Sequence, residues 1–266
     1  MNLQDDILAK HLKTVPAFRA LVRSIEARMI KGFDFPEPVL DFGCGDGHFG
    51  CVSLDGSTAT GVDASMSSLR EADAMQCYRS LIQADDLGLP FDSGTFNSAL
   101  CNSVLEHIPN VESALVELRR VLKPECMLVF TVPSIFFSNF LSVGLILKKC
   151  GLYTLSNYYK KFFDRVSRHH HYRSPEEWRV LLGNAGFNME SFTYYCSIRA
   201  LWAIEWGHYF GLPSLLTRKL IGKWIVSKSS TNLWLTDKIF RPHYEEELPQ
   251  YGAYMIIVAR HTGNKR

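Results

Sequence analysis

The 266-residue chain has no apolar run long enough to cross a bilayer, no Cys-x-x-Cys pair and no strong excess of either charge. A spanning helix needs about 20 consecutive apolar residues. The most apolar stretch, 135–147, is interrupted by Ser138, Asn139 and Ser142 and stops at Lys148-Lys149. With 29 basic and 27 acidic residues the net charge is +2, so the composition carries no nucleic-acid footprint, which needs a basic face or stripe. Seven cysteines without ligand spacing predict reduced, mostly buried thiols and a cytoplasmic protein. Three adjacent histidines, His169-His170-His171, cannot all ligate one ion, and no carboxylate or cysteine stands at ligand spacing, so no metal is expected. The acidic start, through Asp5-Asp6, has no apolar core of the kind a secretory signal requires. Internal repeats and low-complexity tracts are missing too.

What is present concentrates in Val39-Leu40-Asp41-Phe42-Gly43-Cys44-Gly45-Asp46-Gly47-His48. A short apolar strand ends in an acid, and glycines follow at every second position. Glycine tolerates positive φ and has no Cβ, which suits a turn pressed against a ligand. A dinucleotide fingerprint would place its third glycine where His48 stands, which disfavours a nicotinamide enzyme. A second strand ends at Asp63, 18 residues after Gly45, where open α/β folds place an acid that accepts from ribose hydroxyls. Asp63 is also a candidate helix N-cap for the segment that follows. Further strands are predicted at 80–83, 96–101 and 127–132, with a helix over 111–122.

The acid and glycine run resembles the first motif of class I S-adenosylmethionine (SAM)-dependent methyltransferases. A-D-D-L-G-L-P-F, from Ala84 to Phe91, is similar to that family's G-D-A-x-x-L-P-F segment. N-S-V-L-E-H-I-P from Asn102, then L-R-R-V-L-K-P and L-V-F-T-V-P, resemble the small-molecule branch related to ubiquinone-biosynthesis C-methyltransferases (methyltransferase type 11). The resemblance covers 36–134. It implies a Rossmann-like α/β fold, with a seven-stranded, mostly parallel sheet and helices on both faces. It implies SAM as methyl donor, bound by Asp41, Gly43, Gly45, Gly47, Asp63, Asp85, Asp86 and Asn102. The chain departs from the family at Asn97, where aspartate is usual, and at Glu125-Cys126, where a Gly-Gly pair is usual, so the turn before the fifth strand should be reshaped.

The segment order expected is an N-terminal helical stretch (1–35), the SAM-binding core (36–134), a lid insertion (135–173), a late core helix and strand (174–198), an aromatic and basic insertion (199–250) and a last strand with its tail (251–266). In the N-terminal stretch, apolar spacing predicts a helix over 17–30. Ser174-Pro175-Glu176-Glu177 reads as a capping box opening the late helix. The 199–250 insertion holds Trp202, Trp206, Trp224 and Trp234 with Arg218, Lys219, Lys223 and Lys228. A helix over 216–228 would be amphipathic, which fits a lid, a peripheral contact with the inner membrane face or a homodimer contact. Methyl transfer needs a base only when the nucleophile holds its proton, and histidine suits that task near neutral pH. His107, just past the fourth strand, and His171, where the first insertion rejoins the core, are the candidates. The function expected is methyl transfer from SAM to a small, hydrophobic or lipid-linked acceptor, on oxygen or carbon. The alternative is a non-catalytic SAM-fold scaffold or partner subunit.

Overall fold

The computed structural model describes residues 6–54, 59–85, 88–211, 217, 219–220, 225 and 229–263. Seven strands form one sheet: β1 Val39–Phe42, β2 Ala59–Asp63, β3 Ser80–Gln83, β4 Phe96–Asn102, β5 Leu122–Pro133, β6 Phe187–Tyr195 and β7 Tyr254–His261. Their order is β3-β2-β1-β4-β5-β7-β6. β1 to β5 pair in parallel, and β7 runs antiparallel to β5. Chain order reverses between β1 and β4, and ligands of open α/β sheets bind at the carboxyl ends of the strands beside such a reversal. Leu40, Leu100, Phe130 and Ile257 are wholly buried, and Trp178 packs on Phe130 with ring centroids 5.1 Å apart. The near-continuous apolar runs of β1, β4 and β5 suit strands covered on both faces. This is the α/β sheet the sequence implied.

The chain divides into two compact units. One comprises Ile30–Ile135, Asp164–Thr193 and Tyr254–Arg266, and holds nearly all of the sheet. In it, α3 His48–Ser53 follows the glycine loop, α4 Met66–Met75 follows β2, α5 Val111–Val121 precedes β5, and α9 Pro175–Asn184 precedes β6. The capping box at α9 is formed: Glu177 N donates to Ser174 Oγ at 3.2 Å, and Ser174 N donates to Glu177 Oε2 at 2.7 Å.

Three local expectations are corrected. The N-cap of α4 is Ser65, whose Oγ accepts from Ser68 N at 3.2 Å; Asp63 stands just outside the helix and accepts from the N–H of Ser65 itself at 2.8 Å. β5 begins at Leu122 rather than 127, with Phe96 facing Leu122 and Ser98 facing Met127 across an irregularity. Its turn keeps a left-handed residue without glycine, since Glu125 adopts φ 63°. Cys51 and Cys77 pair as a disulfide with Cα atoms 5.6 Å apart, against the expectation of reduced thiols. They lie 26 residues apart, beyond what local spacing reveals.

The second unit comprises Met1–Met29, Phe136–Phe163 and Tyr194–Ala253. Its helices include α1 Ile7–Leu12, α2 Ala17–Ile30, where the sequence expects it, then α6 Phe137–Phe140, α7 Ser142–Lys149 and α10 Ile198–Phe210, and α8 Tyr153–Ser167 begins in this unit, its last turn counting with the other. A further helix spans Ser230–Glu245. Glu205 of α10, wholly buried, accepts from the first amides of α7, Ser142 N at 2.6 Å and Val143 N at 3.3 Å, and from Tyr159 Oη at 2.5 Å. A carboxylate suits that place, because the leading N–H groups of a helix have no partner within it. The tryptophan N–H groups of α10 are satisfied locally: Trp202 donates to Phe140 O at 2.7 Å and Trp206 to Ser142 Oγ at 3.1 Å. Most of the amphipathic helix expected over 216–228, Trp224 included, lies outside the described residues. Among the described residues, no helix is long and apolar enough to cross a membrane.

Candidate cofactor-binding site

The glycine loop leaves β1 with Gly43, Gly45 and Gly47 at φ 75°, 57° and 75°. Each glycine answers a different demand. A Cβ at Gly43 would lie 2.3 Å from Val104 Cγ2, and one at Gly47 would lie 2.8 Å from the Ala72 Cβ. At Gly45 a Cβ would meet nothing within 4 Å, so the loop there faces open space. That space has the character of a cradle for a ligand laid against bare backbone.

Asp63 ties this loop to the tip of β2. Its Oδ2 accepts from Gly45 N at 2.9 Å and its Oδ1 from Ser65 N at 2.8 Å. Each carboxylate oxygen has a further lone-pair site for a hydroxyl donor. Gly43, Asp63, Asp85, Val104 and Ile108 line one cleft, with Phe42, Val62, Ala64 and Ala84 completing its wall. The structure therefore brings together the glycine loop and two of the acids singled out by sequence. Asp86 lies outside the described residues. A larger cavity, about 640 Å³, opens at the far ends of β5 and β7 beside Glu125, Arg260 and His261, and there Arg260 is already paired with Glu190.

Asp41 stands behind the loop. It is buried, and Tyr78 Oη donates to its Oδ2 at 2.6 Å. Burial pushes its pKa up to about 6, the Tyr78 hydrogen bond acts downward, and the charge of Asp63 adds a smaller upward push. The same contact accounts for Gly50 in α3, where a Cβ would fall 1.9 Å from the Tyr78 hydroxyl. Asn102, buried at the end of β4, accepts from Thr131 Oγ1 at 2.9 Å.

His107 and His171 are brought to one place, the loop after β4. His107 Nδ1 lies 2.8 Å from Arg168 O, and a carbonyl can only accept, so Nδ1 carries the proton. In the neutral ring Nε2 then holds the lone pair, 3.9 Å from Glu106 Oε1. His171 Nε2 lies 3.2 Å from Ile108 O and 3.3 Å from Pro109 O, so by the same reasoning it carries a proton and acts as a clip. His170 N donates to Glu106 O at 2.9 Å, closing the seam.

Two features escaped the sequence reading. Glu117 and Arg120, one turn apart on α5, grip the loop beyond Asp85: Leu89 N donates to Glu117 Oε1 at 2.7 Å, while Arg120 donates to Leu89 O at 2.8 Å and Phe91 O at 2.6 Å. The i,i+3 charge pair was a visible signal, but its target was not. Ser103, following Asn102, has φ 52°, and its N–H donates to Thr131 Oγ1 at 2.9 Å. No sequence signal marks it, as serine is not a usual left-handed residue.

Residues 40–130 match the family described as methyltransferase domain. The matched stretch, which holds the glycine loop, Asp63 and Asp85, is thus a methyltransferase domain, whose methyl donor is SAM. An uncharacterized protein of Methanocaldococcus jannaschii is 39% identical over 94 residues, which are 35% of this chain and 40% of the relative. A malonyl-[acyl-carrier protein] O-methyltransferase of Pseudescherichia vulneris is 33% identical over 97 residues, 36% of this chain and 39% of the relative. The chain thus spans about two fifths of the length of these curated relatives. Among solved structures, a SAM-dependent methyltransferase of Thermotoga maritima, described as a possible histamine N-methyltransferase, superposes with a TM-score of 0.55 at 18% identity, covering 92% of this chain and 91% of its own. The [4+2]-cyclase SpnF superposes at 0.56 and 18% identity, covering 92% and 82%. These likenesses show the fold. A cyclase among them means that the fold alone does not dictate the reaction.

Proposed function

We propose that the chain is an enzyme that moves the methyl group of SAM to oxygen or carbon of a small, hydrophobic or lipid-linked acceptor. The observation that carries this reading is Asp63, which takes the Gly45 N–H on one oxygen while lining the same cleft as Gly43 and Asp85. In this reading Asp63 accepts from the ribose hydroxyls, Asp85 and Asp86 meet the adenine edge, and Gly45 lets the cofactor lie against the backbone. Asp41 and Asn102 act from behind, holding the loop and the end of β4. SAM supplies a methyl group already activated on a sulfonium, so the protein has mainly to align nucleophile and methyl and to exclude water. The apolar insertion at 135–147 favours a hydrophobic acceptor. A relative named for an acyl-carrier-linked acceptor is consistent with that class.

Where the acceptor holds its proton, His107 Nε2 is the group proposed to remove it, since Nδ1–H is pinned to Arg168 O. His171 keeps the seam in place.

Isothermal titration with SAM, followed by a tritiated-methyl assay on fractionated cell extract, tests the reading. Binding with transfer into a solvent-extractable product supports it. Tight binding without transfer to any fraction would favour the alternative, a non-catalytic scaffold on the same fold.

A further inference from the structure

Helix α8 buries one face and leaves a different apolar stripe in solvent. Ser156 and Phe163 are buried; Ser156 Oγ donates to Gly144 O at 2.7 Å, and Tyr159 donates to Glu205. Those contacts fix the rotation of the helix. Leu155, Tyr158, Phe162 and Val166, spaced three to four residues apart on another face, are 52%, 68%, 52% and 49% exposed. Residues at that spacing stack along one side of a helix. Lys161 and Arg165 fall on the flank of the stripe and are exposed. Exposed Lys148 and Lys149 close α7, and exposed Ile146 and Leu152 sit on either side of the turn into α8.

The charge of this stretch is as unusual as its apolarity. Residues 135–173 hold seven Lys and Arg against one acid, Asp164, in a chain whose total is +2. That acid is itself engaged, accepting from Tyr172 Oη at 2.5 Å. An aromatic stripe flanked by cations, in a segment whose one acid is engaged, is complementary to an anionic lipid surface.

We propose that the exposed face of α8, with Lys148, Lys149, Lys161 and Arg165, docks the protein on the surface of an anionic bilayer. Tyr158 and Phe162 enter the head-group boundary, and the cations meet lipid phosphates. Docking of this kind requires no methyl transfer, so it stands or falls independently of the proposed activity.

The test is co-sedimentation of the full chain with vesicles of phosphatidylglycerol and phosphatidylcholine in equal parts, and with phosphatidylcholine alone. The wild type is expected to pellet with the anionic vesicles, to stay in solution with the neutral ones, and to be released by salt. Lys161→Gln/Arg165→Gln should weaken partition by about fivefold per charge removed. Tyr158→Ser/Phe162→Ser should abolish it, with thermal midpoint and SAM affinity kept as controls of folding. A wild type that stays in the supernatant with anionic vesicles, or variants that pellet as it does, would overturn the proposal. So would light scattering that shows a dimer dispersed to monomers by the Tyr158/Phe162 variant, since the stripe would then be covered by a second copy.

Discussion

The Tyr78 hydroxyl donates to Asp41 Oδ2 at 2.6 Å, joining the residue that precedes the glycine loop to the segment that precedes β3. Asp41 is buried, and burial raises its pKa from 3.8 to about 6, with Tyr78 opposing the rise. Between those values the folded state keeps a proton that the unfolded state has released. Stability therefore falls as pH rises through that window, by about 3 kcal/mol, and is level above it. Tyr78→Phe removes the hydrogen bond that favours the charged form, so the Asp41 pKa should rise further and the decline should extend to higher pH. Carbon-13 NMR of the Asp41 carboxyl gives the pKa, and urea melts across pH give the stability. A pKa unchanged or lowered by Tyr78→Phe contradicts the assignment.

Gly43 and Gly45 should respond differently to alanine. At Gly43 the new Cβ strikes Val104, so the fold should lose on the order of 2 kcal/mol or more. At Gly45 only the left-handed backbone objects, at about 1 kcal/mol. SAM affinity at Gly45→Ala should nonetheless drop by at least about tenfold, because the methyl group occupies ligand space. Thermal melts set beside calorimetry separate the two. A Gly45→Ala protein that binds SAM as well as the wild type removes the cofactor from this loop.

Asp63→Ala should weaken SAM binding by roughly 1.5–3 kcal/mol, the range for hydrogen bonds to a charged group. Asp63→Asn keeps one oxygen acceptor and should fall between the two. Calorimetry on all three proteins checks the order, and Asn binding no better than Ala would mean that the charge outweighs the geometry.

Glu125→Gly should stabilise the protein by about 1 kcal/mol, since glycine meets no Cβ penalty at φ 63°. The Glu125 carbonyl, which accepts from Arg260 at 2.9 Å, is retained in the variant. Urea denaturation measures it, and a destabilised variant would show that the glutamate side chain matters more than its backbone.

The glycine loop and the sheet were legible because their signals are local. An apolar strand, an acid and alternating glycines are contiguous, and the positive φ angles at Gly43, Gly45 and Gly47 follow from the residue type. What escaped was pairing across distance. Nothing near Asp41 announces Tyr78, 37 residues on, and nothing near Leu89 announces Arg120. Cys51 and Cys77 are likewise joined only by the fold. Asp63 was open to two readings, cap or ribose acceptor; Ser65 took the cap because its hydroxyl reaches the amide of Ser68. At Glu125 a left-handed backbone stands without glycine, and residue preference alone suggests the opposite.

Gly50 sits in a helix, where glycine is a poor choice, because the Tyr78 hydroxyl passes where its Cβ would be. The Asp41 carboxylate would lie 2.6 Å from the same Cβ, so positions 41, 50 and 78 are one choice rather than three. Relatives that shorten the residue at 78 gain room for alanine at 50 only where the acid at 41 also moves aside. Relatives that keep both the acid and the tyrosine are held to glycine, so the three columns should change together.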